Sequence, residues 1–114
     1  MPSMRILVVD DEPMVLDSVG LVLSHDGHTV ETAADASQAL AKYQSDKFDL
    51  VLTDLRLPGM QGDELAEEIK RRNPQQRIIM LTAFPTSIRA ECYDRMLLKP
   101  FSIARLRDTI AEMG

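Results

Sequence analysis

Short apolar runs recur along the chain, and longer stretches of mixed polarity separate them. Three of the runs, residues 6–9, 50–53 and 78–81, are continuous and consist mostly of β-branched residues and leucine. Such runs are typical of strands that are buried on both faces of a parallel sheet. A fourth run, Thr29–Ala33, alternates between apolar and polar residues, which predicts a half-exposed edge strand. Residues 96–98 are a short fifth candidate.

Four of the stretches that separate or follow these runs carry apolar residues at helical spacing, which predicts helices with one buried face. Ser102 precedes the last of them and is a candidate N-cap. The stretch between residues 84 and 95 has room for one short helix only. The apolar positions of the four predicted helices are Val15, Leu16, Val19, Val22 and Leu23, then Ala36, Ala39, Leu40 and Tyr43, then Leu65, Ala66 and Ile69, and finally Ile103, Leu106, Ile110 and Met113.

The alternation of strands and helices predicts an α/β fold with a doubly wound parallel sheet. An edge strand in second position indicates the flavodoxin-like strand order 2-1-3-4-5. In such a sheet, ligands bind beyond the carboxyl ends of the strands, where strands 1 and 3 meet. We expect residues 1–114 to form a single domain, because the length leaves little room for a second one.

Polar residues follow four of the predicted strands at the point where each one ends. Asp10 and Asp11 follow the first strand, Asp54 the third, Thr82 the fourth and Lys99 the fifth. Three aspartates on one sheet edge repel one another, so this cluster is stable only with a cation among them. Oxygen ligands without His or Cys favour a hard cation, and Mg²⁺ fits better than Zn²⁺.

Carboxylates that hold Mg²⁺ beside a lysine and a hydroxyl are suited to phosphoryl transfer, with Asp54 as the candidate nucleophile. Taken singly, each residue has a plainer explanation, since aspartates at these junctions cap helices or form turns. Those explanations do not account for an acid pair, an acid, a hydroxyl and a lysine on four strand ends.

In these four motifs the chain resembles the receiver domain of two-component response regulators. Residues 8–13 (VVDDEP) resemble the family's acidic pair, and residues 54–62 (DLRLPGMQG) resemble its phosphoacceptor loop. Residues 81–83 (LTA) and 99–101 (KPF) match the two remaining signatures. The resemblance runs from the first strand to the last helix.

The resemblance implies that a phosphohistidine on a sensor histidine kinase or a histidine phosphotransfer protein phosphorylates Asp54. It implies that Asp11, Asp54 and the backbone carbonyl of Arg56 bind Mg²⁺ and that Asp10 assists through water. The residues that it assigns to the phosphoryl group are Thr82, Lys99 and the backbone of Ala83, and it implies a cis peptide between Lys99 and Pro100. The face formed by the short helix between the fourth and fifth strands, the fifth strand and the last helix would then rearrange and bind a downstream partner or a second copy.

The chain departs from the family pattern between Thr82 and Lys99, where the interval is shorter than usual. We therefore expect the helix between the fourth and fifth strands to be short, tilted or partly disordered. Met96 stands at the possible switch position, where the family commonly has an aromatic residue. Tyr93 is a weaker candidate for that role, and a surface or packing role explains it better.

The composition is that of an ordinary globular domain with a net charge of −5 and a single cysteine, Cys92. The acid excess argues against direct nucleic-acid binding, and no apolar run is long enough to span a membrane. We expect a cytoplasmic protein, with His25 and His28 in an exposed loop. The sequence leaves open whether this receiver stands alone or belongs to a larger regulator or hybrid kinase.

Two other functions remain open at the level of the sequence. An adaptor could keep the fold without using phosphorylation, which the short interval before Lys99 allows. A phosphohydrolase with an aspartyl-phosphate intermediate is the weaker alternative. Such sites commonly place the nucleophile and the general acid two residues apart, whereas Asp10 and Asp11 are adjacent. The leading prediction is a Mg²⁺-dependent phosphoacceptor switch that is not an independent enzyme and catalyses only its own phosphorylation and dephosphorylation.

Overall fold

A computed structural model describes residues 3–44, 47–83 and 92–113 of the chain. The described residues form five strands and four helices in regular alternation, apart from the connection between the last two strands. The elements in chain order are β1 (Arg5–Val9), α1 (Pro13–His25), β2 (Thr29–Ala33), α2 (Ala36–Lys42), β3 (Leu50–Asp54), α3 (Gly62–Arg72), β4 (Arg77–Thr82), β5 (Arg95–Leu98) and α4 (Ile103–Met113).

All strand pairs are parallel, and the order across the sheet is β2-β1-β3-β4-β5. The predicted strand order and the α/β class are therefore confirmed. β3 is buried along its whole length, whereas β2 is half-exposed at the edge, as its alternating sequence predicts. β2 lies on one side of β1, and β3 and the later strands lie on the other side. The order of strand addition therefore reverses between β1 and β3, and their carboxyl ends border the crevice where ligands bind in this class of fold.

The sheet has a hydrophobic core on each face, because successive residues of a strand point to opposite sides. Leu7, Val51 and Met80 pack against α2 and α3 on one face. Ile6, Leu52, Ile79 and Leu97 lie on the other face. There they pack against the apolar positions of α1 and α4, namely Val19, Leu23, Leu106, Ile110 and Met113.

The helix boundaries follow local sequence signals. Pro13 occupies the first turn of α1, where the absence of a backbone N–H costs nothing. The predicted N-cap of α4 is confirmed, since the Ser102 Oγ accepts a hydrogen bond from the Arg105 N–H at 3.0 Å. Gly27 lies just after α1 with a φ of 94°, a conformation that favours glycine.

The structure corrects one prediction and leaves another outside its scope. His28 is buried rather than exposed, and its Nδ1 accepts a hydrogen bond from the Met4 N–H at 3.0 Å. His25 is exposed, as predicted, but it is the last residue of α1 and does not lie in the loop. The short helix predicted between β4 and β5 falls mainly on residues 84–91, which lie outside the described residues. Among the helices that are described, none is long and apolar enough to cross a membrane.

Candidate functional site

A cavity of about 210 Å³ opens at the carboxyl edge of the sheet, above the ends of β3, β4 and β5. It contains every candidate site residue that the sequence placed at a strand end, except Asp10, which lies directly beside it. The residues that line the cavity are Asp11, Glu12, Asp54, Arg56, Thr82, Ala83 and Lys99.

Asp54 is the last residue of β3, and its side chain is only 10% exposed. Burial raises the pKa of the Asp54 carboxyl above its usual value, and the charge of Asp10 raises it further. Lys99 and the backbone N–H of Arg56 oppose this shift without cancelling it. The site thus holds a carboxylate whose charge is poorly compensated by its surroundings.

The loop after Asp54 folds back tightly over the end of β3. Gly59 has a φ of 81°, and the Gly62 N–H donates to the Leu55 carbonyl at 2.6 Å. A Cβ at position 62 would lie 1.9 Å from the Asp54 carbonyl oxygen, so only glycine fits there. This close approach brings the first turn of α3 against the backbone of the candidate nucleophile.

Lys99 is the cation at the centre of the acidic cluster. Its Nζ donates to Asp10 Oδ2 at 2.8 Å and lies 3.3 Å from Asp54 Oδ2 and 3.6 Å from Glu12 Oε1. Although burial alone would lower the pKa of Lys99, the hydrogen bond and charge of Asp10 and the charge of Asp54 raise it. The ammonium therefore stays charged and offsets part of the repulsion among the acids.

Asp10 is fully buried and connects the two sides of the site. One of its carboxylate oxygens accepts the Lys99 ammonium, and the other accepts the backbone N–H of Glu12 at 2.9 Å. The two partners of Asp10 therefore lie at fixed positions on either side of its carboxylate. The water-mediated role predicted for Asp10 is a separate expectation, and the direct hydrogen bond to Lys99 was not predicted.

The acidic side chains are close enough to share one cation. Asp10, Asp11, Glu12 and Asp54 each offer a carboxylate oxygen, and these four atoms lie within 4.8 Å of one another. Two of the residues are buried and two are exposed, so the cluster is open to solvent on one side. Oxygen ligands with an open side suit Mg²⁺, which usually keeps several of its waters.

The remaining candidates occupy the positions that their motifs predict. Thr82 ends β4 with its side chain buried, and the neighbouring Ala83 is exposed at the cavity rim. The Lys99 N–H donates to the Thr82 carbonyl at 2.8 Å, which joins the two switch candidates through the backbone. The peptide between Lys99 and Pro100 is cis, as the resemblance implies.

Met96 and Tyr93 lie away from the cavity. Met96 is half-buried on β5, opposite Met80 in the register of the sheet. Tyr93 is half-buried and packs against the core formed with α2 and α3, which agrees with the surface or packing role preferred for it.

Glu12 is the residue that sequence reasoning missed. The prediction used the acid pair before it and treated Glu12 as an ordinary neighbour, yet its carboxylate joins both the carboxylate cluster that could hold a metal ion and the ion pairs of Lys99. The signal was present as a third consecutive acid after β1. What could not be foreseen is that the start of α1 turns this side chain back toward β5.

Comparison with known proteins identifies the family. The family model for the response regulator receiver domain matches residues 6–111. The chain belongs to this family. Receiver domains act in two-component signalling, where sensor kinases phosphorylate response regulators.

Solved structures of receiver domains agree closely with this one. The response regulator TrrA of Thermotoga maritima, solved in complex with Mg²⁺–BeF, superposes with a TM-score of 0.89 at 33% identity, covering 96% of this chain and 98% of that chain. The chemotaxis protein CheY4 of Vibrio cholerae gives a TM-score of 0.90 at 30% identity, covering 99% of this chain and 100% of that chain.

Curated relatives include longer regulators. The transcriptional regulatory protein TcrA of Mycobacterium tuberculosis is 36% identical over 92% of this receiver domain, and the match covers 45% of TcrA. The response regulator PilR of Pseudomonas aeruginosa is 32% identical over 97% of this receiver domain, and the match covers 26% of PilR. The receiver domain therefore spans less than half the length of these relatives.

Proposed function

We propose that the chain is a phosphoacceptor switch in which Asp54 receives a phosphoryl group from a phosphohistidine donor. The observation that carries this proposal is the cavity lined by Asp11, Asp54, Thr82 and Lys99, one residue from each of the four motifs. The donor is a sensor histidine kinase or a histidine phosphotransfer protein. In this proposal the whole of residues 1–114 acts as one receiver domain in the cytoplasm.

The proposed cofactor is Mg²⁺, held by the carboxylates of Asp11 and Asp54 and by the backbone carbonyl of Arg56. Asp10 assists through water while it keeps its hydrogen bond to Lys99. The clustered carboxylate oxygens support this assignment, and so does the Mg²⁺–BeF complex of the related TrrA. When bound, Mg²⁺ neutralises charge on the phosphoryl oxygens.

The residues of the chain have separate tasks in the transfer. An oxygen of the Asp54 carboxylate attacks phosphorus, the P–N bond of the phosphohistidine breaks, and its electron pair returns to the donor imidazole. Lys99 balances negative charge on the phosphoryl oxygens, while the Thr82 hydroxyl and the Ala83 backbone N–H donate hydrogen bonds to them. Hydrolysis of the resulting acyl phosphate in the same site resets the switch.

The proposed output surface comprises the segment between β4 and β5, β5 itself and α4. Phosphorylation adds charge and hydrogen-bond acceptors at the ends of β4 and β5, and Thr82 and Lys99 move toward them. This shifts the population between two conformations of the surface. Leu98 and Ile103 are 53% and 52% exposed on the described part of it and offer apolar contacts to a partner or a second copy.

Phosphorylation with a small donor tests the proposed function. The protein is incubated with acetyl phosphate and Mg²⁺, and its intact mass is measured. We expect one added phosphoryl group in the wild type and none after addition of a chelator. We expect none in Asp54→Asn.

Asp49→Asn is the matched control, because Asp49 directly precedes β3 at its opposite end and is exposed. This variant should take up phosphate like the wild type. Incorporation that persists in Asp54→Asn, or that needs no divalent cation, contradicts the assignment.

A further inference from the structure

The three acids around the Lys99 ammonium differ in how far their side chains are buried. Asp10 is completely buried and Asp54 nearly so, whereas the Glu12 side chain is 63% exposed. Glu12 is also the most distant of the three, at 3.6 Å from Nζ. Its carboxylate therefore has space to move toward the ammonium, and the other two carboxylates do not.

The backbone around this group of charges is fixed on both sides. The Glu12 N–H donates to Asp10 Oδ1, and the Lys99 N–H donates to the Thr82 carbonyl. With the main chain held in this way, the ends of the Lys99 and Glu12 side chains are the groups best able to move when a cation binds. A second cavity, of about 490 Å³, is bordered by Glu12, Ala83, Lys99 and the first turns of α1, and it leaves room for that movement.

A divalent cation on Asp54 and the ammonium of Lys99 are like charges that compete for one carboxylate. Their repulsion favours a position of the ammonium farther from Asp54. The anions still within reach are then Asp10, which already accepts the ammonium, and Glu12. A shift toward Glu12 keeps Lys99 paired and leaves Asp54 to the metal.

We propose that Glu12 is a positioning residue that receives the Lys99 ammonium when Asp54 binds Mg²⁺. This inference rests on the proposed function, because it concerns the same cation site. It gives the third acid after β1 a role distinct from metal binding. Glu12 favours metal binding because it offers the displaced lysine a partner.

A double-mutant cycle on Mg²⁺ affinity tests this role without a phosphodonor. The wild type, Glu12→Gln, Lys99→Met and the double variant are labelled with ¹⁵N and titrated with MgCl₂ at constant ionic strength. Chemical shifts of the backbone amides give the dissociation constants, and the spectra themselves show that each variant is folded.

We expect Glu12→Gln to weaken Mg²⁺ binding by about threefold when Lys99 is present, the range of a partly exposed ion pair. In the Lys99→Met background the same change should cost less than about twofold, since the ammonium is no longer there to be received. As a control, Asp17→Asn removes one exposed charge from α1 and should leave the dissociation constant nearly unchanged.

A direct effect of Glu12 on the metal predicts the opposite trend. Lys99 partly neutralises Glu12, so removal of Lys99 would strengthen the attraction between Glu12 and the metal. An equal or larger loss in the Lys99→Met background therefore overturns the proposal. A second readout is the side-chain ¹⁵Nζ resonance of Lys99, which should shift on addition of Mg²⁺ in the wild type and shift less in Glu12→Gln.

The same data separate this inference from the proposed function. If wild-type amides around Asp54 show no saturable response to Mg²⁺, the metal assignment in the proposed function fails, and the role of Glu12 fails with it. If the wild type binds Mg²⁺ and accepts phosphate but the cycle shows no coupling, the role of Glu12 alone is wrong.

Discussion

The carboxylate of Asp54 is held where its own charge is disfavoured. Burial and the neighbouring Asp10 raise the pKa of Asp54, and Lys99 compensates only in part. The same arrangement that suits a nucleophile and metal ligand thus costs stability in the folded protein. Function and stability conflict at this residue.

The stability of Asp54→Asn measures that conflict. Because the pKa of Asp54 is higher in the folded state than in the unfolded state, its contribution to stability falls as the pH rises through the window between the two values. At pH 7 and without Mg²⁺, Asp54→Asn should therefore melt a few degrees above the wild type, as about 1 kcal/mol does for a domain of this length.

The difference should shrink below the ordinary Asp pKa of about 3.9, where Asp54 is protonated in both states. Calorimetry at several pH values checks both expectations. Asp17→Asn, which removes an exposed carboxylate from α1, should show no comparable gain. If the wild type melts at the same temperature as Asp54→Asn at pH 7, the charge of Asp54 does not destabilise the folded protein.

Two glycines should respond to alanine in opposite directions. A Cβ at Gly62 would lie 1.9 Å from the Asp54 carbonyl oxygen, so Gly62→Ala forces the loop away from β3 and should cost about 1–3 kcal/mol. A Cβ at Gly20, inside α1, meets only Val30 Cγ1 at 4.0 Å, so Gly20→Ala should gain about 0.5–1 kcal/mol.

Denaturant unfolding compares the two variants with the wild type. Phosphate uptake from acetyl phosphate should also fall in Gly62→Ala and stay unchanged in Gly20→Ala. Equal stability of the two variants would mean that the contact between α3 and Asp54 is not tight.

At the scale of elements, the sequence patterns predict which elements form, and they predict the carboxyl ends of β3 and β4 at Asp54 and Thr82, but they do not predict where every strand begins. β4 and β5 each begin one residue before the apolar run, at Arg77 and Arg95. Neighbouring strands supply the hydrogen bonds that extend each strand, so its ends depend on contacts distant in the chain.

In the site too, the sequence predicts the positions of residues at strand ends but not the contacts between residues distant in the chain. The positions of Asp54, Thr82 and Lys99 follow from the strand order, which the sequence pattern predicts. The pairing of Lys99 with Asp10 and Glu12 joins residues far apart in the chain and depends on side-chain rotamers. The burial of His28 has a similar cause, because its partner is the backbone of Met4 before β1.

A carboxylate at the opposite edge of the sheet gives an element-scale prediction. Asp49, just before β3, accepts the Arg5 N–H at 2.8 Å and joins the amino ends of β1 and β3. That backbone hydrogen bond lowers the pKa of Asp49, and the Arg5 side chain adds to the shift against the effect of burial. Asp49→Asn should therefore destabilise the protein at pH 7 by about 0.5–1 kcal/mol.

The pH dependence has the opposite sign to that of Asp54. Because the folded-state pKa is lowered, Asp49 contributes its full stability above about pH 4 and loses it as the pH falls through the folded value. The wild type and Asp49→Asn should converge in urea unfolding near pH 2. A difference that stays constant from pH 7 to pH 2 would exclude the charged hydrogen bond as its source.

At the scale of the whole molecule, the two ends of the sheet carry different electrostatic arrangements. At the amino edge, Asp49 is paired with the single exposed side chain of Arg5. At the carboxyl edge, four carboxylates cluster, and the Lys99 ammonium pairs with three of them, those of Asp10, Glu12 and Asp54. A ligand that adds positive charge there should therefore stabilise the entire domain, since the sheet unfolds as a unit.

Thermal unfolding in MgCl₂ tests this expectation. A cation that binds only the folded state stabilises it by mass action, so each tenfold rise in Mg²⁺ above the dissociation constant should add about 1.4 kcal/mol. NaCl at matched ionic strength should not reproduce the gain, because screening alone does not fill the site. Asp11→Asn should lose most of the gain and Asp17→Asn should keep it, whereas equal gains in both would place the bound cation elsewhere on the protein.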